Sequence, residues 1–567
     1  MKKKYLVDVI IPLPINKHYT YSFECKIDVG SHLKVPFGNN NETADAITIS
    51  DSYRKETAFP IKSILSVQKK LLSKKQIQFF IWASKYYLVQ LPKVINSLFP
   101  KHIFNIKKIN KNKNKYRIDN LFKCSIIIEN SINYISYIDN KLEKIKDKRS
   151  QILILCPNIL KCYELDKGLK NKAYLYNSSI SDKDSKIIWK KVLENEDLIV
   201  VGVKSALFLP FTNLSEIFVI DENDIAYKET DKILRFNARD SAVMLSKIHN
   251  CEINLLCNFP SIESIKNIKE KKYKLVNKKD SLGLKINKRI NISNILEKKI
   301  KEKYSDLLSD DIRNKILDRF KKNKKTLIFT PLSSKIKTIK KSLLFLKNEN
   351  QKVYELIKKK LTSKTKINNL IKSIEKFNII IGNQSILFNS LFKDFDLIVL
   401  IEPEKIGKRS NYRSNEILFN LLYKSVNYLK YNQSSRLIIL TNESQNKIFK
   451  MAIKLDYKAF IKSELIERKL FRYPPYSKII KLELISSDYS KKSKMGKFLF
   501  ERIKKEFKNL HVKDLGFDSN DYKYEIIIKI TDIKQLSYIK EKIKKFLRKK
   551  IKNNHFSEVL INIDIDP

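Results

Sequence analysis

Glycine is scarce in this chain, with nine glycines in 567 residues. They stand singly and none is followed by Lys-Ser or Lys-Thr, so the sequence contains no G-x-x-x-x-G-K-[ST] loop. Such a loop cradles phosphates with backbone N–H groups and neutralises them with its lysine. Its absence argues against an ordinary nucleoside triphosphatase.

Paired cysteines and long apolar runs are missing too. The six cysteines form no C-x₂-C pair, which argues against zinc and favours buried free thiols in a reducing compartment. No apolar run reaches the roughly 18 residues that a membrane span needs. An acid follows the N-terminal Met-Lys-Lys-Lys too early for a secretory signal. We therefore expect a protein that is neither secreted nor membrane-spanning.

Positive charge is abundant. The chain has 114 Lys+Arg against 61 Asp+Glu, a formal net charge of +53, which points to a polyanionic partner such as nucleic acid. Lys, Ile and Asn crowd the whole chain, so codon drift in an AT-rich genome is a second explanation for part of this charge. The apolar content of 43% indicates a globular protein.

Two blocks of continuous apolar runs, separated by amphipathic helical segments, predict two α/β lobes in tandem, the layout of a nucleic-acid motor. A β-rich region precedes them and a mixed α+β region follows. The predicted boundaries are an N-terminal domain at 1–105, a linker at 106–122, a first lobe at 123–286, a helical connector at 287–323, a second lobe at 324–455 and a C-terminal DNA-binding domain at 456–567.

Asp221 and Glu222 end the apolar run Ile217 to Ile220. An acidic pair at the carboxyl end of a buried parallel strand is how nucleoside triphosphatases hold Mg²⁺ and orient the attacking water. This pair is the candidate catalytic site. Its phosphate-binding partner is the loop that the sequence lacks, so the pair is predicted to be vestigial.

Several strings together resemble the PriA family of primosomal replication-restart helicases, in family order and over most of the chain. The strings are Tyr19-Thr20-Tyr21, Val29 to Gly38, Gly202-Val203-Lys204-Ser205-Ala206-Leu207-Phe208, Ile220-Asp221-Glu222, Phe236-Asn237-Ala238-Arg239-Asp240, Glu467-Arg468 with Tyr473-Pro474-Pro475-Tyr476, and Ile563-Asp564-Ile565-Asp566-Pro567. The resemblance implies two RecA-like helicase lobes between a β-rich fork-binding domain and a C-terminal α+β domain.

The departures from the family are as informative. The family's phosphate loop is replaced at 129–133 by Glu-Asn-Ser-Ile-Asn, and its D-E-E-H box reads Asp221-Glu222-Asn223-Asp224. The arginine-finger motif is replaced at 425–432. The winged helix after the N-terminal domain and the zinc module of the second lobe have no counterpart. The family's ATP, Mg²⁺ and two Zn²⁺ are therefore not expected as cofactors here.

The resemblance also implies DNA-contacting residues. Tyr19, Thr20, Tyr21, Gly30 and Lys62 would form a pocket for the 3′ end of a nascent strand, where a ring stacks on the terminal base. The family's acid between the two aromatic residues is Thr20 here. A core role for the tyrosines is the alternative. Lys204 and Ser205 would contact the DNA backbone, or Lys204 is simply solvated.

The leading hypothesis is a DNA-binding replication-restart protein that recognises stalled or branched forks and helps reload the replisome, without helicase activity. Its partners would be forked DNA and replisome and primosome proteins, at the nucleoid in the cytoplasm. The alternatives are an active ATP-dependent 3′→5′ DNA helicase and an eroding gene product whose domains only fold. Whether the chain is an enzyme is left open, with the missing motifs arguing against it.

Overall fold

The elements below come from a computed structural model of the 567-residue chain. It describes residues 4–13, 15, 17–38, 42–54, 59–106, 109, 121–129, 133–144, 150–278, 289–295, 308–343, 353–356, 364–383, 395–407, 412–429, 434–508, 510–517, 522–551 and 559–567. Of the predicted linker at 106–122, residues 107, 108 and 110–120 lie outside the described residues.

The N-terminal region is an antiparallel sheet followed by two helices. The sheet order is β2-β1-β4-β3-β5, and its alternating apolar residues, such as Val7 and Val9, form a core of their own. Ser73 begins the first helix by accepting the N–H of Gln76 at 3.1 Å. The elements are Tyr5–Ile10 (β1), Tyr19–Phe23 (β2), Ser31–Phe37 (β3), Glu42–Thr48 (β4), Ser66–Lys70 (β5), Lys74–Tyr86 (α1) and Leu91–Leu98 (α2).

The first lobe is a seven-stranded parallel sheet with helices between its strands, in the order β12-β6-β11-β10-β7-β9-β8. Its central strands are buried apolar runs, as parallel strands covered on both faces require. The elements are Lys123–Ile128 (β6), Tyr134–Glu143 (α3), Gln151–Leu155 (β7), Ile159–Gly168 (α4), Ala173–Tyr176 (β8), Asp182–Leu193 (α5), Leu198–Gly202 (β9), Leu214–Val219 (β10), Ala238–His249 (α6), Glu252–Cys257 (β11), Ile262–Lys269 (α7) and Lys274–Lys278 (β12).

The second lobe is a six-stranded parallel sheet in the order β13-β18-β17-β14-β16-β15. The two lobes confirm the tandem helicase-like fold class. The elements are Ile290–Asn294 (β13), Asp310–Lys321 (α8), Lys325–Phe329 (β14), Ser333–Ser342 (α9), Val353–Leu356 (β15), Lys364–Lys376 (α10), Ile379–Gly382 (β16), Phe395–Ile401 (β17), Ser414–Tyr428 (α11), Arg436–Thr441 (β18) and Lys447–Ile453 (α12).

The segment 287–323 differs from the helical connector that the sequence predicts. Its strand β13 pairs in parallel with β18 at the edge of the second sheet, from Ile290 against Leu437 to Asn294 against Thr441. Helix α8 then packs on the same sheet through Ile312 and Ile316. Both elements therefore belong to the second lobe. An edge strand with few buried side chains has no continuous apolar run, so the sequence pattern does not indicate a strand there.

The C-terminal region begins with a helix and continues in the chain order βαββαβ, with an antiparallel sheet ordered β20-β21-β19-β22. This is the ferredoxin-like arrangement. Its two helices cover one face of the sheet, and on the other face Glu483 and Asp564 are buried against Arg235 of the first lobe. The elements are Tyr457–Leu470 (α13), Lys478–Ile485 (β19), Tyr489–Glu506 (α14), His511–Phe517 (β20), Lys523–Ile530 (β21), Leu536–Ile551 (α15) and Leu560–Ile565 (β22).

Direct contacts join these parts. The indole N–H of Trp189 in the first lobe donates to the carbonyl of Leu71 at 3.0 Å, and Ser73 Oγ donates to the carbonyl of Phe211 at 2.8 Å. Arg235 of the first lobe forms an ion pair with Glu483 of the C-terminal sheet at 2.7 Å. The first lobe thus carries both terminal regions.

Candidate nucleic-acid interface and the cleft between the lobes

Strand β2 places Tyr19 and Tyr21 on one face of the N-terminal sheet, because side chains two apart on a strand point the same way. The Tyr21 ring is only 4% exposed, and its hydroxyl donates to the carbonyl of Pro36 at 2.9 Å. Burial, with a smaller contribution from Tyr19, raises the pKa of Tyr21. The half-buried Tyr19 ring packs edge-on against Phe37, with centroids 5.4 Å apart. Tyr21 therefore belongs to the core, and Tyr19 is the ring that a ligand can reach.

Thr20 lies on the opposite face of β2 from the two tyrosines. Its hydroxyl donates to Oδ1 of Asp8 at 2.7 Å, and Asp8 is its cross-strand partner in β1. The hydroxyl of Tyr53 donates to the same oxygen at 3.2 Å. The sequence predicts Thr20 in one pocket with the tyrosines, but the alternation of the strand places it on the other face. There Thr20 lies directly beside the carboxylate of Asp8, which the sequence pattern did not indicate.

Gly30 does not sit beside the tyrosines as the sequence reasoning supposed. It is buried in a turn with φ +85°, its N–H donates to the carbonyl of Thr48 at 3.0 Å, and its carbonyl accepts the N–H of Leu71 at 2.9 Å. A Cβ there would clash with the carbonyl of Leu72. With both backbone groups bonded internally, Gly30 has a structural role.

Gly38 lies next to the ring pair of Tyr19 and Phe37. It follows Phe37 directly, has φ +82°, and, apart from its two chain neighbours, no described atom lies within 4 Å of the position that a Cβ would occupy. Backbone at this position can therefore approach a ligand beside the Tyr19–Phe37 ring pair. The sequence contains Gly38 in the string Val35-Pro36-Phe37-Gly38, but the presence of a glycine does not by itself show whether Gly30 or Gly38 lies beside the rings.

Lys62 is exposed and lies alongside β2. Its carbonyl accepts the N–H of Ser22 at 3.1 Å, which fixes the backbone of Lys62 next to the strand that carries Tyr19. This edge of the N-terminal sheet thus offers an accessible ring, an open stretch of backbone and a cation. A ring can stack on a base, and a lysine supplies a point charge to a phosphate.

Asp221 begins the acidic pair at the end of β10 in the first lobe. It adopts a left-handed backbone conformation, with φ +51°, and its Oδ1 accepts the hydroxyl of Tyr134 at 3.1 Å. Tyr134 is the first residue of α3 and is fully buried. Burial, followed by the charge of Asp221, raises the pKa of Tyr134 well above its ordinary value. Of the replaced phosphate loop at 129–133, residues 130–132 lie outside the described residues.

Glu222 is 1% exposed and both of its carboxylate oxygens accept hydrogen bonds. Oε1 accepts the N–H of Ser261 at 2.6 Å, while Oε2 accepts Ser261 Oγ at 3.0 Å and Arg239 Nη1 at 3.2 Å. Burial raises the pKa of Glu222, and the Arg239 guanidinium opposes that shift. A Mg²⁺ site needs carboxylate oxygens free for the metal and room for its waters. Both oxygens of Glu222 and one oxygen of Asp221 are thus hydrogen-bonded within the first lobe, which leaves too few free ligand oxygens to suit Mg²⁺–ATP.

The rest of the acidic box joins the two lobes. Asp224 forms an ion pair of 2.8 Å with Lys424 on α11 of the second lobe, and Asn420 Nδ2 donates to the carbonyl of Asn223 at 3.4 Å. Burial opposes the charge on Asp224, but the Lys424 ammonium outweighs it and lowers the pKa of Asp224. The pKa of Lys424 is raised because the nearby carboxylates outweigh its burial.

A buried cluster of arginine and glutamate side chains adds a second connection between the lobes and α13. Glu263 of the first lobe lies 2.9 Å from Arg413 at the start of α11 and 3.5 Å from Arg468 on α13. Arg468 is 1% exposed and pairs with Glu416 of α11 at 2.9 Å. Arg239 reaches Glu263 at 3.8 Å. The sequence strings around Arg239 and Arg468 flagged these residues only by resemblance, and their structural role was missed.

Lys204 and Ser205 lie on a short 3₁₀ helix, Lys204–Phe208, after β9. Lys204 Nζ is 3.3 Å from a carboxylate oxygen of Glu229 and donates to the carbonyl of Lys228 at 3.4 Å. Its charge is therefore engaged within the lobe. Ser205, the next residue, is half-buried and uncharged, so the 3₁₀ helix offers no other charge at this position.

In the part of the chain that the structure describes, no group of three or more His, Cys, Asp or Glu side chains is arranged to hold a metal ion. No helix in that part is long and apolar enough to cross a bilayer. Five of the six cysteines are buried and Cys25 is exposed.

Comparison with known proteins agrees with this arrangement. Residues 8–100 match the family model of a 3′DNA-binding domain (3′BD). The replication restart protein PriA of Borreliella burgdorferi is 27% identical over 495 residues, covering 74% of this chain and 72% of the relative. The PriA of Rickettsia conorii is 24% identical over 659 residues, covering 98% of this chain and 99% of the relative.

A solved RecG bound to a three-way DNA junction is 10% identical, with a TM-score of 0.40, covering 61% of this chain and 44% of that chain. This likeness is too distant to carry an argument. A 3′DNA-binding domain followed by two tandem parallel-sheet lobes defines a DNA-binding protein of helicase-like architecture. The chain belongs to the PriA family of replication restart proteins.

Proposed function

We propose that this protein recognises stalled or branched replication forks and helps to reload the replisome, and that it does so with little or no ATP hydrolysis or unwinding. One observation carries the proposal. One oxygen of Asp221 and both oxygens of Glu222 accept hydrogen bonds from their own lobe, whereas the Tyr19 ring in the 3′DNA-binding domain is only half-buried. We therefore expect that DNA binding is retained and that ATP-driven unwinding is lost.

At the fork, Tyr19 would stack on the terminal base of a 3′ end held beside Phe37. Gly38 leaves room for the sugar to approach the backbone, and Lys62 would neutralise a phosphate. Asp8 on the neighbouring strand β1 accepts the hydroxyls of Thr20 and Tyr53 on the opposite face of the sheet from Tyr19, and these bonds keep β2 in register. Stacking of one base is worth about 1–3 kcal/mol.

Two features would prevent ATP turnover: the missing catalytic groups and the ion pairs that hold the two lobes together. An arginine finger alone contributes roughly 10³–10⁵ in rate, and the phosphate-loop lysine is missing as well. A motor also needs its lobes to close and reopen around the nucleotide. Here Asp224 and Lys424 pair across the cleft, and Glu263 connects to Arg413 and Arg468. The lobes would serve as a fixed scaffold between the terminal domains.

The experiment compares forks that carry a free or a blocked 3′-hydroxyl at the junction. We expect the free end to bind several-fold more tightly, and Tyr19→Ala to abolish that preference while leaving affinity for linear duplex almost unchanged. Tyr5→Ala is the matched control, because Tyr5 lies at the other end of the β1–β2 ladder, opposite Phe23. Equal affinity of the wild-type protein for both forks would contradict 3′-end recognition.

A further inference from the structure

A cleft of about 680 Å³ lies between the end of α13 and strand β20, at one edge of the C-terminal sheet. Leu470 and Phe471 line one side of it, and Lys513 and Leu515 of β20 line the other. We call it the α13–β20 cleft. It includes neither the Tyr19 ring nor any of the ion-paired residues that join the two lobes.

Large apolar side chains are exposed along this cleft. Leu470 is 74% exposed and Phe471 is 58% exposed, and Leu515 lines the same cleft from β20 and is exposed as well. Ile466, four residues before Leu470, extends the apolar stripe along α13 and is also exposed. Another side of α13 already packs in the core of the second lobe through Phe460. A helix needs one apolar stripe for its own core, so the second stripe indicates a protein partner.

The wall of the cleft is held in place by contacts within the protein. Tyr473 stacks on Tyr412, with ring centroids 5.4 Å apart and planes at 16°. Lys529 Nζ lies 3.8 Å from the Tyr473 ring centroid and donates to the carbonyl of Phe471 at 3.2 Å. A partner would therefore meet a preformed surface, and little conformational entropy would be lost when it binds.

The free charges around the apolar stripe are positive. Lys469, Arg472 and Lys513 are exposed, and among the described residues none of them has a carboxylate within ion-pair distance. Glu525 is the one acidic side chain among the described residues that line the cleft, and it is paired with Lys481 at 2.9 Å. The cleft therefore favours a ligand that carries carboxylates.

Nucleic acid and a second copy of this chain fit the cleft less well. Bases stack on aromatic rings, whereas the exposed apolar side chains here are aliphatic except for Phe471. The nearby ring of Tyr473 is already in contact with Tyr412 and Lys529. A second copy would bring another net charge of +53 to the same cations. An acidic protein is the occupant that matches both the apolar stripe and the charge.

The geometry favours a helical partner over an added strand. The register of β20 against β21 shifts between Asp514 and Gly516, and a bulge of this kind interrupts the free edge of a sheet. Ile466 and Leu470 instead form a ridge at helical spacing, which is the surface against which another helix packs.

We propose that the α13–β20 cleft docks an acidic amphipathic helix of a partner protein. The apolar side of that helix would pack on Ile466, Leu470 and Phe471. Its carboxylates would lie near Arg472 and Lys513. The inference rests on the proposed function, because reloading a replisome requires a contact with another protein as well as with the fork.

The test measures, by fluorescence anisotropy, how tightly the full-length protein binds a labelled helical peptide built from Glu, Ala and Leu with one apolar side. We expect Leu470→Gln combined with Phe471→Gln to weaken binding about tenfold or more. Arg472→Gln combined with Lys513→Gln should weaken binding severalfold and make the remaining affinity less dependent on salt. All four side chains are exposed, so these variants should keep the wild-type midpoint of urea unfolding.

The matched control is Ile187→Gln combined with Lys183→Gln, which removes an exposed apolar side chain and an exposed cation from α5 of the first lobe. This variant should bind the peptide as the wild-type protein does. Three altered peptides define what is recognised. Peptides with Lys in place of Glu, or with Ser in place of Leu, should not bind, and a proline in the middle should weaken binding because it breaks the helix.

Four results would overturn the inference. The wild-type protein does not bind the acidic helix, the Leu470 and Phe471 variant binds it equally well, or the proline-containing peptide binds as tightly as the helix. The fourth is that the Leu470 and Phe471 variant loses binding to an oligothymidylate or loses a concentration-dependent dimer, which would assign the cleft to nucleic acid or to a second copy.

Fork binding separates this inference from the proposed function. The variants of the α13–β20 cleft should keep the preference for forks with a free 3′-hydroxyl, because that preference depends on the Tyr19 surface. If the wild-type protein shows the preference but does not bind the acidic helix, the inference alone fails. If it binds the helix as expected but shows no preference between forks, the proposed function fails.

Discussion

Replacing Lys424 by alanine removes one half of the ion pair that crosses the cleft between the lobes. The two side chains, Lys424 and Asp224, are 17% and 9% exposed, and their charges are 2.8 Å apart. The substitution leaves the Asp224 carboxylate buried in the interface without its cation. Removing one partner of a buried pair typically costs about 3–5 kcal/mol, much more than removing the pair together.

Urea unfolding, with amide hydrogen exchange across α11 and the 221–224 segment, measures this cost. We expect Lys424→Ala to lower the unfolding midpoint and to raise exchange in both elements. Asp224→Asn with Lys424→Met should recover most of the loss. The control is Lys170→Ala. Lys170 pairs with Glu143 at the surface, where the two side chains are 70% and 54% exposed, so its loss should lower the free energy of unfolding by only about 0–1 kcal/mol. If Lys424→Ala were no worse than this control, the lobes would not be held by the Asp224–Lys424 pair.

Three further changes test other parts of the account. Gly30→Ala should destabilise the N-terminal domain by more than about 1 kcal/mol in urea unfolding, because it adds a clash with Leu72 to a left-handed φ, whereas Gly38→Ala should cost less. Thr20→Val should lower the free energy of unfolding by about 1 kcal/mol through loss of the bond to Asp8, and a null effect would show that this bond is not formed. The Asp224 carboxyl has a lowered pKa, so its stabilising contribution should be complete above its ordinary value of about 3.9 and be lost as pH falls through the lower folded-state value. The stability of Asp224→Asn should therefore fall less steeply at acid pH than that of the wild-type protein. The same dependence of stability on acid pH in both proteins would show that Asp224 makes no such contribution.

Much of the fold could be read from the sequence because the physics that produces it is local. A run such as Ile217–Ile220 has to be buried on both faces, and it ends in Asp221 at the carboxyl edge of the sheet, as predicted. The strand β13 was missed because it lies at an edge of its sheet, where part of the strand stays polar. The alternation of apolar and polar residues is weak in edge strands, so it does not predict them.

The site was harder to predict than the fold because its partners are distant in the chain. Asp224 and Lys424 are 200 residues apart, and no local pattern relates them. The choice of Gly30 over Gly38 could not be made without knowing which turn lies beside the Tyr19 ring. The replacement of the phosphate loop was visible in the sequence, but the bond from Tyr134 to Asp221 required three-dimensional packing.

The most direct test of the account is ATP hydrolysis by the full-length protein with and without a fork bearing a free 3′-hydroxyl, alongside binding to the same fork. The account predicts that the fork binds and that hydrolysis stays at background in its presence. Fork-stimulated hydrolysis that saturates with ATP and is abolished by Asp221→Ala would contradict it. That result would mean that the Asp221–Glu222 pair still works as a catalytic site.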